Sequence, residues 1–213
     1  MTIHGLSERT GRYLAEKAGK PEQLPVLTYG LELIIGETIK LLLLVLIAYV
    51  LNLLLPMLFV FCTSIPLRVL TGGQHCSSSL RCLIVSLMAY IALGYLAVYL
   101  LSIMSPVNLL ITAFLASIVM AATLDKFGPG YSVNYSSSSS KPTKTVTKLS
   151  FLFLAVWLVT ILGVNITVGN QALSSTIIIS TALGIYWQAL MITPWGHKII
   201  NTADKGLCLL KIR

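Results

Sequence analysis

Polar and apolar positions fall in long blocks along this chain. Four runs carry no charged residue and are long enough to cross roughly 30 Å of hydrocarbon as helices. They are Leu83–Met104, Val107–Leu124, Leu149–Val168 and Ala172–Thr193. A fifth region, Tyr29–Leu67, is longer and is interrupted at Asn52–Pro56. Pro56 lacks the N–H that a helix interior needs and disfavours helix at the residue before it. The pattern predicts a helical hairpin there: one span from Tyr29 to Leu51, then a shorter limb to Leu67 that is either a span or re-entrant. Ser7 through Gly19 reads as an amphipathic interfacial helix with Leu14 and Ala18 on one side. Met1–Leu27 carries charges throughout and has no apolar core of the kind a signal peptide needs.

Composition narrows the class. Charged residues make up 10% of the chain and apolar residues 56%, and the mean hydropathy is +0.86. So few charges cannot cover the surface of a soluble fold of this size, where roughly a quarter of residues are charged. The expected fold is all-α: a single polytopic membrane domain over residues 1–213, with about six membrane segments. The net charge of +8 does not point to nucleic acid, because the basic residues are dispersed between apolar runs. All of the 15 Lys and Arg except Lys40 lie in four segments. These are the N-terminal segment, residues 68–82, the loop 125–148 and the tail 194–213. Six crossings with both termini in the cytoplasm bring those four segments to one face, as the preference for Lys and Arg on the cytoplasmic side requires.

One of these segments is chemically dense. Between two apolar stretches runs Arg68-Val-Leu-Thr-Gly72-Gly73-Gln74-His75-Cys76-Ser-Ser-Ser-Leu-Arg81-Cys82. It holds one of three His, two of four Cys and two Arg. Covalent catalysis needs a nucleophile beside a base, and a Cys with a His supplies both near neutral pH. Gly72 and Gly73 allow a tight turn that presents backbone N–H groups, as an oxyanion site needs. The same residues also fit a plain turn, topology signals and packed thiols. Residue types alone leave both readings open, with Cys76 and Cys82 both available as the thiol.

The segment resembles the signature of the accessory gene regulator B family, membrane cysteine endopeptidases of bacterial peptide quorum sensing. That signature has an Arg, then Gly-Gly-x-His with the His seven residues after the Arg, then a Cys seven residues after the His. Here these are Arg68, Gly72, Gly73, His75 and Cys82. The chain length, the multi-span layout, Tyr29-Gly30-Leu31-Glu32 and the step Lys141-Pro142 are similar too. The resemblance implies that His75 and Cys82 are catalytic, with Arg68, Gly72 and Gly73 in support. It implies a small precursor peptide as substrate and a bacterial cell membrane as location. It further implies cleavage through an acyl-enzyme thioester, then ring closure to a thiolactone or lactone autoinducer. Cys76 stands where the family carries a small residue, and the spacing selects Cys82. On one straight helix His75 and Cys82 would lie about 10.5 Å apart along the axis. A dyad therefore needs a break within Cys76–Ser79, or assembly between the two copies of a homodimer.

Other polar residues have simpler readings. Glu32, Gly36, Glu37 and Lys40 form a stripe on the first span. With Lys141 of the basic loop, Glu32, Glu37 and Lys40 are candidate substrate-binding residues, and Glu37 can also pair with Lys40 at i, i+3. A membrane peptide exporter or small transporter is the non-enzymatic alternative, in which that stripe would matter and Cys82 would not. His4 and His197 read as solvated and interfacial, and Cys62 as packing. Three dispersed His and the lack of a Cys-x-x-Cys predict no metal and no cofactor. There is no phosphate-binding Gly-rich loop of the Walker type.

Overall fold

A computed structural model describes residues 3–74, 76–128 and 144–210. Among them there is no β-strand. The helices are α1 (Ile3–Lys17), α2 (Leu24–Val50), α3 (Leu54–Thr71), α4 (Ser79–Ile103), α5 (Pro106–Phe127), α6 (Lys144–Thr167), α7 (Gln171–Ile192) and α8 (Pro194–Leu209), with a 3-10 turn at Pro21–Gln23. Six of them are long and apolar enough to cross a membrane, the first reckoned from Pro21 to Val50 and the last being α7. The chain groups into two compact units, Met1–Ile47 and Ala48–Arg213.

The first unit contains α1 and most of α2. The amphipathic helix predicted over Ser7–Gly19 is present as α1, with an Arg12–Glu8 ion pair at 2.9 Å. Ser7, Gly11 and Ala15 are buried, while Leu14 and Ala18 are exposed. Gly11 explains the choice: a Cβ there would lie 2.9 Å from Thr28 Oγ1, so the smallest side of α1 meets the start of α2. On α2, Lys40 Nζ donates to Glu37 Oε1 at 2.6 Å, the i, i+3 pairing that the sequence allows.

The second unit carries the remaining spans. The break predicted near Pro56 is a turn in which Asn52 takes φ 57°, a conformation that Asn tolerates better than most residues. Pro56 then sits in the first turn of α3, where its missing N–H costs little. The limb that follows is longer than expected. It runs past Pro66 to Thr71, 18 residues in all, enough for about 27 Å of helix. Burial on the far side of the proline, at Leu67 and Thr71, offsets the lost backbone bond. Ser105, Asn170 and Thr193 cap α5, α7 and α8, each accepting from a backbone N–H three residues on.

α7 is the centre of this unit, packing on α3, α4, α5, α6 and α8. Lipid supplies no hydrophobic drive between spans, so close contact depends on small residues. Gly184 provides it, since a Cβ there would lie 2.8 Å from the Val60 carbonyl oxygen of α3. Met57 and Val60 on α3, Leu109 and Met120 on α5, and Ile178, Ile179 and Ile185 on α7 are buried. On the other flank of α3, Ser64 Oγ and Tyr90 Oη share a hydrogen bond at 3.1 Å, and the Phe61 and Tyr90 rings meet edge to face. Alternation of direction brings the end of α3, the start of α4, the end of α7 and all of α8 to one end of the bundle. Read as a tail from sequence, residues 194–209 are an amphipathic helix with Gly196 and Ile200 buried.

Candidate active site

The segment singled out by its chemistry is the turn between α3 and α4. α3 closes when the Gly72 N–H donates to the Arg68 carbonyl at 2.8 Å. Gly72 has φ 74° and Gly73 φ 153°, backbone that side chains with a Cβ resist, so both glycines are needed to leave the helix this way. Helix resumes at Ser79. The expected break is therefore present and reaches beyond Cys76–Ser79, taking in residues 72–74 as well as 76–78. Cys82 lies in the first turn of α4, its N–H bonded to the Ser78 carbonyl at 3.0 Å. That end of a helix favours negative charge. His75 lies outside the described residues, as does Lys141.

Arg68 reaches back over the turn. Its Nη2 donates to the Gln74 carbonyl at 2.9 Å. Its Nε is buried with no hydrogen-bond partner, and lies 4.0 Å from where a Cβ on Gly73 would sit. From α7, Gln188 Nε2 donates to Thr71 Oγ1 at 2.8 Å and to the Gly72 carbonyl at 2.7 Å. From α8, Asn201 Oδ1 accepts from Gln74 Nε2 at 3.1 Å, and Asp204 Oδ2 accepts from Ser77 Oγ at 2.6 Å. Arg81 Nη1 pairs with Asp204 Oδ1 at 3.1 Å.

The two thiols of the segment are brought together. Cys76 is buried in a cluster with Met191 of α7 and Ile200 of α8, and Cys82, Val85, Trp187 and Leu190 pack against it. The Cys76 thiol is pushed far up from its ordinary range. The largest cause is its hydrogen bond with Cys82, followed by burial, the Cys82 charge and the Asp204 carboxylate, while Arg68 opposes. Cys76 therefore holds its proton.

The structure thus assembles Arg68, Gly72, Gly73 and Cys82 around one turn. Glu32, Glu37 and Lys40 belong to the other compact unit, where Glu37 and Lys40 bond to each other. No group of three or more His, Cys, Asp or Glu suited to a metal occurs among the described residues. Sequence reasoning missed Gln188, Asn201, Asp204 and Ser77. A signal existed for Gln188: a lone amide in an apolar span is costly and faces the bundle interior.

A family model described as accessory gene regulator B matches residues 7–192. Two proteins of Clostridium perfringens are similar over nearly their whole length. AgrB-like protein 2 of strain 13 is 23% identical over 207 residues, covering 92% of this chain and 96% of its own. An AgrB-like protein of strain SM101 is 24% identical with the same coverage. No solved structure matches.

Proposed function

Since this multi-pass membrane chain belongs to the accessory gene regulator B family, with its role in the quorum-sensing system of that name, we propose that it is a cysteine endopeptidase that processes a small precursor peptide at the cytoplasmic face of a bacterial membrane. One observation supports this most. Cys82 opens a helix beside a second thiol that keeps its proton, at a turn where Arg68 holds an unused, buried donor.

In this reading His75 takes the proton of the Cys82 thiol, and the Cys82 sulfur attacks a carbonyl carbon in the C-terminal half of the precursor. Charge building on that oxygen meets the Arg68 Nε and the Gly73 N–H, because the Gly72 N–H is already committed to the Arg68 carbonyl. The Cys76 thiol donates to the Cys82 sulfur and steadies its negative charge. The C–N bond then breaks, and the proton held by His75 passes to the leaving amine. The resulting thioester on Cys82 keeps its acyl-transfer potential. A Cys or Ser within the bound peptide attacks it, gives its proton to His75 and closes a thiolactone or lactone as Cys82 leaves. A recessed site that excludes water favours ring closure over hydrolysis.

The test uses membranes carrying the wild-type chain, Cys82→Ala or Cys76→Ala, with a synthetic copy of the short peptide encoded beside this reading frame. Products are read by mass. Cleavage by wild type and Cys76→Ala but not Cys82→Ala is expected. Full processing by Cys82→Ala would sink the protease reading.

A further inference from the structure

Residues 72–74 and 76–78 carry no helix, yet chemistry there tolerates little drift: a displacement of about 1 Å can cost on the order of 10²-fold in rate. What holds the turn is therefore part of the site. Arg68 and Gln188 hold its first half, at Gln74 and Gly72. The second half is tied to the start of α4, where the Cys82 N–H donates to the Ser78 carbonyl at 3.0 Å and Cys82 hydrogen-bonds Cys76. Its side-chain hydrogen bonds to a distant element come from α8. Asn201 and Asp204, three residues apart and so on one face of that helix, reach Gln74 and Ser77, on either side of positions 75 and 76. Asp204 accepts twice from Ser77, at 2.6 Å from Oγ and 3.3 Å from the backbone N–H. Its carboxylate and its main-chain carbonyl both engage Arg81, at 3.1 Å and 3.3 Å, one residue before Cys82. The Arg81 and Asp204 side chains are only 12% and 17% exposed, so this ion pair is poorly screened. Ile200 packs on Cys76 from the same helix.

We propose that α8 is a clamp on the catalytic turn and that Asp204 is its positioning residue, fixing residues 74–81 for the acyl-transfer step. Asp204 acts through Ser77 and Arg81 and touches no reacting atom. The chain fastens its turn with a helix that follows the last span. The role in catalysis rests on the protease reading, while the grip on the turn does not.

Two measurements on the full chain in detergent or membranes separate these. Hydrogen–deuterium exchange of peptides covering residues 73–81 should rise about fivefold or more in Asp204→Asn, with exchange in α3, α5 and α7 and the melting temperature unchanged. With the synthetic precursor as probe, Asp204→Asn should lower kcat by about 10- to 100-fold and leave KM within about threefold. Asp204→Glu, which keeps the charge, should regain part of that loss. Ser77→Ala should lose several-fold by itself, and Ser77→Ala combined with Asp204→Asn should be no worse than Asp204→Asn, because both cut one interaction. Wild-type exchange and kcat in Asp204→Asn overturn the proposal. So does a general brace: Asp204→Asn and Asp204→Glu losing kcat equally while melting temperature and exchange in all helices shift together. If Asp204→Asn does not accumulate, Ser77→Ala decides, and wild-type kcat and exchange in it overturn the clamp. If wild type cleaves nothing, the protease reading fails and the exchange measurement still judges the grip.

Discussion

Gln188 of α7 ties its amide nitrogen to the Gly72 carbonyl at 2.7 Å, joining two spans at the point where α3 gives way to the turn. The same nitrogen donates to Thr71 Oγ1. The Thr71 hydroxyl already donates to the Leu67 carbonyl at 2.8 Å, so it can only accept from Gln188, and the orientation of the amide follows from the network. Glycine makes the turn possible at Gly72, and Gln188 makes it singular.

Replacing Gln188 with Leu keeps the bulk and removes the donor. The Gly72 carbonyl then loses its Gln188 partner in a half-buried site, which costs about 1 kcal/mol. A lower melting temperature in detergent is expected, together with a fall of at least about tenfold in precursor processing, because the turn carries the chemistry. A variant with wild-type melting and wild-type processing would show that this amide positions nothing.

Cys76 offers a prediction with a definite sign. Its thiol is pushed up mainly by the hydrogen bond with Cys82, then by burial and by the charges of Cys82 and Asp204. A raised pKa leaves less thiolate at any given pH, so Cys76 should react slowly with iodoacetamide at about pH 8. Cys82→Ala removes the hydrogen bond and the Cys82 charge. The Cys76 pKa should then fall part of the way back, and labelling should speed up several-fold. Trypsin separates the two positions, because Arg81 lies between them. Slower or unchanged labelling of Cys76 in Cys82→Ala would contradict the arrangement.

How far the chain could be read without coordinates depended on the range of the interaction. Uniform apolar runs such as Leu83–Met104 and Val107–Leu124 announce spans because the bilayer demands a continuous apolar length. Arg68, Gly72, Gly73 and Cys82 were legible because their relation is local in sequence. The end of α3 was misjudged: the limb was expected to stop at Leu67, before Arg68, whereas the helix continues to Thr71, whose burial only the fold reveals. Gln188, Asn201 and Asp204 meet the turn across more than 100 residues, and no local pattern pairs them with it. α8 was read as part of a tail because residues 194–213 follow the last apolar run and carry Lys198, Lys205, Lys211 and Arg213. Its buried stripe at Gly196 and Ile200 becomes meaningful only with α4 and α7 beside it.

The stripe on α2 leads to a different expectation from the turn. Glu37 and Lys40 satisfy each other at 2.6 Å within an apolar span. Removing one partner strands the other charge, whereas removing both leaves nothing to neutralise. Lys40→Met should therefore lower the amount of chain in the membrane more than Glu37→Gln combined with Lys40→Met. The double variant should keep processing within about threefold of wild type, as for a pair with no substrate contact. Loss of processing in a well-accumulated double variant would instead return the stripe to the role of substrate binding.

Arg68 separates charge from geometry. One nitrogen, Nη2, holds the Gln74 carbonyl at 2.9 Å, and another, Nε, is buried without a partner near Gly73. A lysine keeps the positive charge and can still reach one carbonyl. It cannot supply the second donor, because a guanidinium offers several N–H groups in a rigid plane and an ammonium is a single point. If Nε is aimed at charge that develops only as the carbonyl is attacked, its loss belongs to the transition state. Arg68→Lys should then lower kcat by about 10²-fold or more, the scale of losing one oxyanion donor, with KM little changed. Single-turnover measurements should assign the loss to formation of the Cys82 thioester. A rise in KM with kcat preserved would mean that Arg68 binds the precursor in its ground state.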